Sequence, residues 1–227
     1  MKLGALISTG KDSLFAMYKA SKENEIKCLI TIQSEEKDSY MFHTPSIELA
    51  KYQAEALELP LIMKKTKGIK EEELMDLKQA IKEAKEKYKI QGITTGALFS
   101  EYQKSRIDKI CEELNLKAVS PLWHMSQYEE VKQIIGAGFE FIFTKIAAEG
   151  LDKTWLGVKI NKEHLEKLKK INEKNSFNIA GEGGEFESLV LDMPLFKKKI
   201  VIKESKIKEI DEHSAELIIN EAILISK

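Results

Sequence analysis

The chain has 227 residues and a mass of 25.9 kDa, enough for one large domain or two modest ones. Its 36 Lys and Arg nearly cancel its 37 Asp and Glu, and a formal net charge of -1 excludes a strong global field for a nucleic-acid backbone. No stretch approaches the roughly 20 apolar residues needed to span a bilayer, and the amino terminus enters an apolar run rather than a secretory signal, so a cytoplasmic protein without nucleic-acid or membrane partners is expected.

The first predicted element is a strand, Leu3 to Ile7, followed by the polar knot Ser8-Thr9-Gly10-Lys11-Asp12-Ser13 and a helical pattern carrying Leu14, Phe15, Met17 and Tyr18. A glycine-containing loop between a parallel strand and a helix gathers backbone N–H groups at one point, where phosphate binds readily. Lys11 adds a positive charge there, and Ser8, Thr9 and Ser13 add hydroxyls. It is not a Walker A loop, because Gly4 and Gly10 are too far apart and Asp12 follows the lysine. The spaced glycines of the dinucleotide fingerprint are also missing. Without a ligand, such a stretch is simply a polar helix cap.

Next comes an apolar strand, Cys28 to Ile32, and an unusually polar link, "QSEEKDSYMFHTP" (33 to 45), longer than the roughly two to six residues typical of such links. Thr44-Pro45 marks the start of the helix "SIELAKYQAEALEL", and Leu61 to Met63 forms the third strand. In "EEELMDLKQAIKEAKEKY" the residues Leu74, Leu77, Ile81, Ala84 and Tyr88 fall on one stripe, the face that packs on a sheet. Ile93 to Thr95 and Ala118 to Ser120 complete the strands, with a capping box of Ser100 and Gln103 opening the helix between them. This alternation predicts an α/β fold with a doubly wound, parallel five-stranded sheet.

After Trp123 the texture changes. A helix-strand unit, "SQYEEVKQIIGAGFEFIFTKIA", opens with a second capping box at Ser126 and Glu129. It leads to a helix at about 161 to 175, the loop "GEGGEFE", and strands such as "KKKIVIKES" and "AELIINEAILIS". A smaller C-terminal α+β domain is expected, dividing the chain into residues 1–125 and 126–227. Cys28 and Cys111 stand alone, as do the histidines, which argues for free thiols and against a structural metal.

The knot "STGKDS" resembles the Ser-Gly-Gly-Lys-Asp-Ser loop of the ATP pyrophosphatases, with Thr9 in place of the family's first glycine. Three further stretches, "MFHT", "GALFSEYQKSR" and "GEGGEFE", stand collinear with motifs of the diphthine–ammonia ligase family, and the resemblance spans nearly the whole chain. It implies an adenine nucleotide alpha hydrolase-like sheet as the ATP-binding domain and a substrate-binding C-terminal domain. The implied reaction is the ATP-dependent amidation of diphthine, a modified histidine on translation elongation factor 2. The carboxylate is first adenylated with loss of pyrophosphate; ammonia from free ammonium then gives diphthamide and AMP. The resemblance implies an archaeal or eukaryotic source, of which a short chain looks archaeal, and a homodimer is left open.

By the same resemblance Ser8, Thr9, Gly10, Lys11, Asp12 and Ser13, with His43, Gly96 and Ala97, hold ATP, and Asp12 holds magnesium. Tyr102, Gln103 and Arg106, with Glu182, Gly183, Gly184, Glu185 and Glu187, are expected to bind the substrate. Lys11, Asp12 and Glu185 are the expected catalytic residues. Carboxylates of "GEGGEFE", aided by aromatics such as Trp123, Trp155 or Phe186, suit a permanent cation such as the trimethylammonium group of diphthine. Two alternatives stay open: the same loop acting on another substrate, as in tRNA modification, or an ATP sensor without catalysis.

Overall fold

The computed structural model describes residues 1–34, 47–67, 69 and 72–227, the last range without the side chain of residue 72. The chain divides into two compact units, Met1–Trp123 and His124–Lys227. The expectations for His43 and for the Thr44-Pro45 helix start lie outside the described residues.

The first unit alternates β1 (Lys2–Leu6), α1 (Lys11–Ser21), β2 (Glu25–Ser34), α2 (Ala50–Leu57), β3 (Leu61–Thr66), α3 (Glu72–Tyr88), β4 (Gly92–Thr94), α4 (Glu101–Glu113) and β5 (Lys117–Val119). All strand pairs are parallel, in the order β3-β2-β1-β4-β5. This is the doubly wound α/β sheet expected from the alternation. The apolar stripe of α3 packs on it as predicted, with Leu77, Ala80, Ile81 and Ala84 buried against Ile30, Ile62 and Ile93. The order reverses between β1 and β4, and in open α/β sheets the crevice at the carboxyl ends of two such strands is where ligands bind.

Cys28 and Cys111 are free thiols in this core. Burial pushes the Cys28 thiol up to about 12, and burial with the Asp108 charge pushes Cys111 up to about 11. Burial disfavours both thiolates, which argues against thiolation chemistry based on these cysteines.

The second unit holds α5 (Gln127–Gly136), β6 (Glu140–Ala147), α6 (Lys162–Asn175), β7 (Phe186–Asp192), β8 (Lys198–Glu209) and β9 (Ser214–Ser226). Its antiparallel sheet runs β7-β6-β9-β8. Phe141, Ile142, Phe143 and Ile146 of β6 are buried, with Leu165 and Leu168 of α6. β8 is an edge strand carrying Lys198, Lys199, Lys203, Lys206 and Lys208, and its pairing with β9 shifts register on either side of Glu204. Ser126 does stand at the N-cap of α5, but its side chain makes no cap hydrogen bond; Glu129 bonds Gln133 at 3.0 Å instead of reaching back. Among the described residues no helix is long and apolar enough to cross a membrane.

Candidate functional site

The apolar sequence of β1 buries it in the sheet, so the chain leaves the sheet at the switch point and must turn at once into α1. Ser8 is exposed, while Thr9, Lys11 and Ser13 are buried. Thr9 adopts φ +66°, the left-handed region where a β-branched residue is a rare outlier costing about 1–3 kcal/mol. A glycine would take this conformation without that cost; this chain takes it with a threonine. The bend is fixed by hydroxyls: the Ser8 N–H donates to Ser13 Oγ at 3.1 Å, and Ser13 Oγ donates to the Gly10 carbonyl at 3.1 Å.

Gly10 is the N-cap of α1 and no side chain caps the helix. The first-turn N–H groups therefore keep the outward face and the positive dipole end that favour an anion. The Lys11 ammonium, on a side chain only 1% exposed, is ion-paired with the carboxylate of Asp12, which is 34% exposed. After β4, a Cβ at Gly96 would stand 2.7 Å from the Ser13 nitrogen and 2.8 Å from the Asp12 carbonyl carbon. Gly96 thus lets the β4 loop press against the first turn of α1, and Ala97 beside it is buried.

The donor set suits a polyphosphate: helix N–H groups, an ammonium and hydroxyls, with Thr9 Oγ1 buried and without a hydrogen-bond partner among the described residues. For magnesium the loop offers Asp12, and among the described residues no group of three or more His, Cys, Asp or Glu is placed to hold a metal. The Asp12 carboxylate, a third exposed, is the hard oxygen ligand such a cation takes beside phosphate and water oxygens.

On α4 the Ser100 hydroxyl accepts from the Gln103 N–H at 3.3 Å, half of the expected capping box. The Arg106 guanidinium lies 3.4 Å from the ring centroid of Tyr102 and donates to its carbonyl at 3.4 Å. Spacing of four residues on one helix face brings these two together.

In the second unit "GEGGEFE" forms a turn that leads into β7. Asn178 Oδ1 accepts from the N–H groups of Ala180 and Gly181 at 2.9 and 3.1 Å, and the Gly184 N–H closes on the Gly181 carbonyl at 3.2 Å. Gly181 is at φ +77°, where a Cβ would meet the Phe186 ring at 2.7 Å. Glu182, Gly183 and Gly184 are exposed, whereas Glu185 is half-buried and accepts from the Asn178 N–H at 3.3 Å. Its Oε2 is buried without a hydrogen-bond partner among the described residues. Glu187 stands opposite Lys145 in the β6–β7 register.

Two of the expected aromatic partners are core residues instead. Phe186 stacks on Phe143 at 3.9 Å between centroids, Phe143 stacks on Trp155 at 6.0 Å, and Phe186 and Trp155 are 4% and 9% exposed. The period-2 alternation of β7 sends Phe186 inward and Glu187 to the other face, while Glu185 lies in the turn before the strand and bends back to Asn178. Trp123, in the first unit, is half-buried with the Lys104 ammonium 5.4 Å from its ring centroid.

Sequence reasoning missed Thr31 and Gln53, which reach the loop from β2 and α2. The Thr31 hydroxyl donates to the Ile7 carbonyl, and Gln53 Nε2 donates to the Thr9 carbonyl at 2.9 Å. Its spacing from Ala50, Ala54 and Leu57 puts Gln53 on the inward stripe of α2, a signal that could have found it, and it is completely buried.

Comparison with known proteins places these features in context. The family models described as the diphthamide synthase N-terminal and C-terminal domains match residues 1–118 and 126–225. A diphthine–ammonia ligase of Rattus norvegicus is 35% identical over 225 residues, covering 91% of this chain and 84% of that protein. The Homo sapiens protein of the same name is 33% identical over 226 residues, covering 91% of this chain and 85% of its own length. In Schizosaccharomyces pombe the match is 35% over 232 residues, 95% of this chain but 38% of the longer relative.

Proposed function

Because the chain belongs to the diphthamide synthase family, we propose that it amidates the diphthine carboxylate of translation elongation factor 2 with ammonium, using ATP and releasing AMP and pyrophosphate. The observation that carries this reading is the placement of "STGKDS" at the switch point of the sheet, before an uncapped helix start. A carboxylate oxygen of the substrate attacks the α phosphorus as the bond to the bridging oxygen of pyrophosphate breaks. Ammonia then attacks the acyl carbon, AMP leaves with the electron pair, and the nitrogen sheds its proton.

In that scheme the first-turn N–H groups of α1 and the exposed Ser8 hydroxyl bind the β and γ phosphates, while Ser13, whose one O–H is given to the Gly10 carbonyl, holds the bend that presents them. Lys11 holds positive charge where the leaving group gains negative charge, an electrostatic role that needs no proton transfer. Asp12 keeps Lys11 in place and is the residue that would hold magnesium. Bound there, the ion supplies neutralisation of phosphate charge. Gly96 and Ala97 border the nucleotide. Arg106, flattened on Tyr102 beside Gln103, offers a planar donor to the substrate carboxylate or a phosphate.

The C-terminal unit binds the substrate. Glu182, Glu185 and Glu187 around Gly183 and Gly184 supply negative charge for the trimethylammonium group of diphthine or for ammonium, without Trp155 or Phe186. Glu185→Gln preserves the acceptor for the Asn178 N–H, so the fold survives. The amidation rate is expected to fall at least about tenfold, the loss expected when a charged partner becomes neutral; an unchanged rate removes Glu185 from the chemistry. A cytoplasmic setting goes with this function, which the named relatives carry out in eukaryotes.

The deciding experiment incubates the protein with ATP, magnesium, ammonium and diphthine-bearing elongation factor 2. The factor is weighed by mass spectrometry and the nucleotide products are assayed. The mass drop from carboxyl to amide with stoichiometric AMP is the expected result. ADP, or ATP binding without turnover, would overturn the reading in favour of another substrate or a sensor.

A further inference from the structure

The loop after β1 is braced from outside by two buried polar side chains. Thr31, 1% exposed, donates to the Ile7 carbonyl, and Gln53, wholly buried, donates to the Thr9 carbonyl at 2.9 Å. A carbonyl only accepts, so the amide nitrogen is the end of Gln53 that faces Thr9. A peptide unit is planar and trans, and its C=O and N–H point in opposite directions. Holding the Thr9 carbonyl on Gln53 therefore turns the Gly10 N–H away from α2. Gly10 is the N-cap of α1, so this N–H joins those of the helix start.

Thr9 itself sits in the left-handed region, and its own hydroxyl makes no hydrogen bond among the described residues. The side chain at position 9 thus contributes no hydrogen bond to hold the strained bend. The other buried residues of α2 are Ala50, Ala54, Ala56 and Leu57, with Lys51 and Glu55 on the exposed face, a setting in which packing alone calls for an apolar residue at position 53. An amide kept there has a polar task, because burying it without a partner is costly.

We infer that Gln53 is the positioning residue of the nucleotide loop: its buried amide fixes the Thr9–Gly10 peptide plane and so presents the Gly10 N–H to the phosphates. The inference rests on the nucleotide reading of the loop. It concerns binding of ATP, not the later attack by ammonia.

The test measures Mg-ATP binding by calorimetry on the full chain, alongside the melting temperature without nucleotide. Gln53→Leu is expected to weaken ATP binding by about tenfold to a hundredfold, the loss of one hydrogen bond from the Gly10 N–H to a charged phosphate. The KM for ATP rises to match, while the KM values for ammonium and the protein substrate stay unchanged and nucleotide-free melting drops by only a few degrees. Gln53→Met, of the same length, carries the same expectation if the leucine variant does not fold.

Gln53→Glu adds a readout that a packing role would not move. A buried carboxyl titrates high, and only its protonated form donates to the Thr9 carbonyl. Its deficit relative to wild type should shrink from about pH 8 to about pH 6, whereas that of Gln53→Leu stays flat. Wild-type affinity in Gln53→Leu, or a pH-independent deficit in Gln53→Glu, would overturn the inference alone. Failure of the wild type to bind ATP would overturn the nucleotide reading and this inference with it.

Discussion

In the loop after β1 a threonine takes the left-handed conformation, whereas in the turn before β7 that conformation falls to Gly181 and Gly184. The first bend is buried and braced by side chains from two other elements, Thr31 and Gln53. The second is exposed at Glu182, Gly183 and Gly184 and is tied mainly by its own neighbours, Asn178 and Glu185. Strain at Thr9 is tolerated because the scaffold overdetermines the backbone there. An exposed turn lacks such support and depends on residues that carry no strain. The contrast suits a preorganised cradle for phosphate charge in one unit and, in the other, an exposed turn beside the half-buried carboxylates of Glu185 and Glu187.

The largest effect that would sharpen this contrast is at Lys11. Lys11→Ala is expected to lower kcat/KM for AMP formation by about two to three orders of magnitude, as loss of a preorganised charge does, measured by initial rates at saturating protein substrate. Gly181→Ala comes next. It combines φ +77° with a Cβ 2.7 Å from the Phe186 ring, and a loss of about 2–4 kcal/mol in denaturant unfolding is expected. Gly184→Ala is its control: φ is +86° but nothing lies near the new Cβ, so only about 1 kcal/mol of conformational strain should appear.

Gly96→Ala pushes on the first turn of α1 and is expected to cost about 1–3 kcal/mol while raising the KM for ATP, because the displaced atoms belong to the anion-binding turn. Thr9→Gly is the smallest. Relief of strain and loss of buried methyl area oppose each other, so stability should stay within about 1 kcal/mol and ATP affinity should hold. A large fall in affinity on Thr9→Gly would break the contrast, since it would show the threonine side chain, rather than the braced backbone, to be the working part.

Much of the scaffold was legible because it follows from periodicity. The alternation up to Ser120 announced the parallel sheet, and the stripe from Leu74 to Tyr88 announced the face of α3 that packs on it. The strand order was not, since it depends on which strands meet in three dimensions. The run that becomes β7 lay hidden beside the glycine turn. At the site, motif chemistry pointed to the loop but not to its braces: Gln53 shares a helical stripe with Ala50, Ala54 and Leu57, a spacing that turns it inward without saying what its amide meets. Phe186 and Trp155 were read for their chemistry, but strand alternation and burial put them in the core.

The lysines of β8 have a consequence for how this protein behaves at high concentration. An open sheet edge is a template on which a neighbouring molecule can add a strand, and repetition of that step produces fibres. Here the edge carries Lys198, Lys199, Lys203, Lys206 and Lys208, and its register shifts around Glu204. A second molecule approaching edge to edge meets like charge and a broken ladder, so the fold guards itself against aggregation at its most exposed strand.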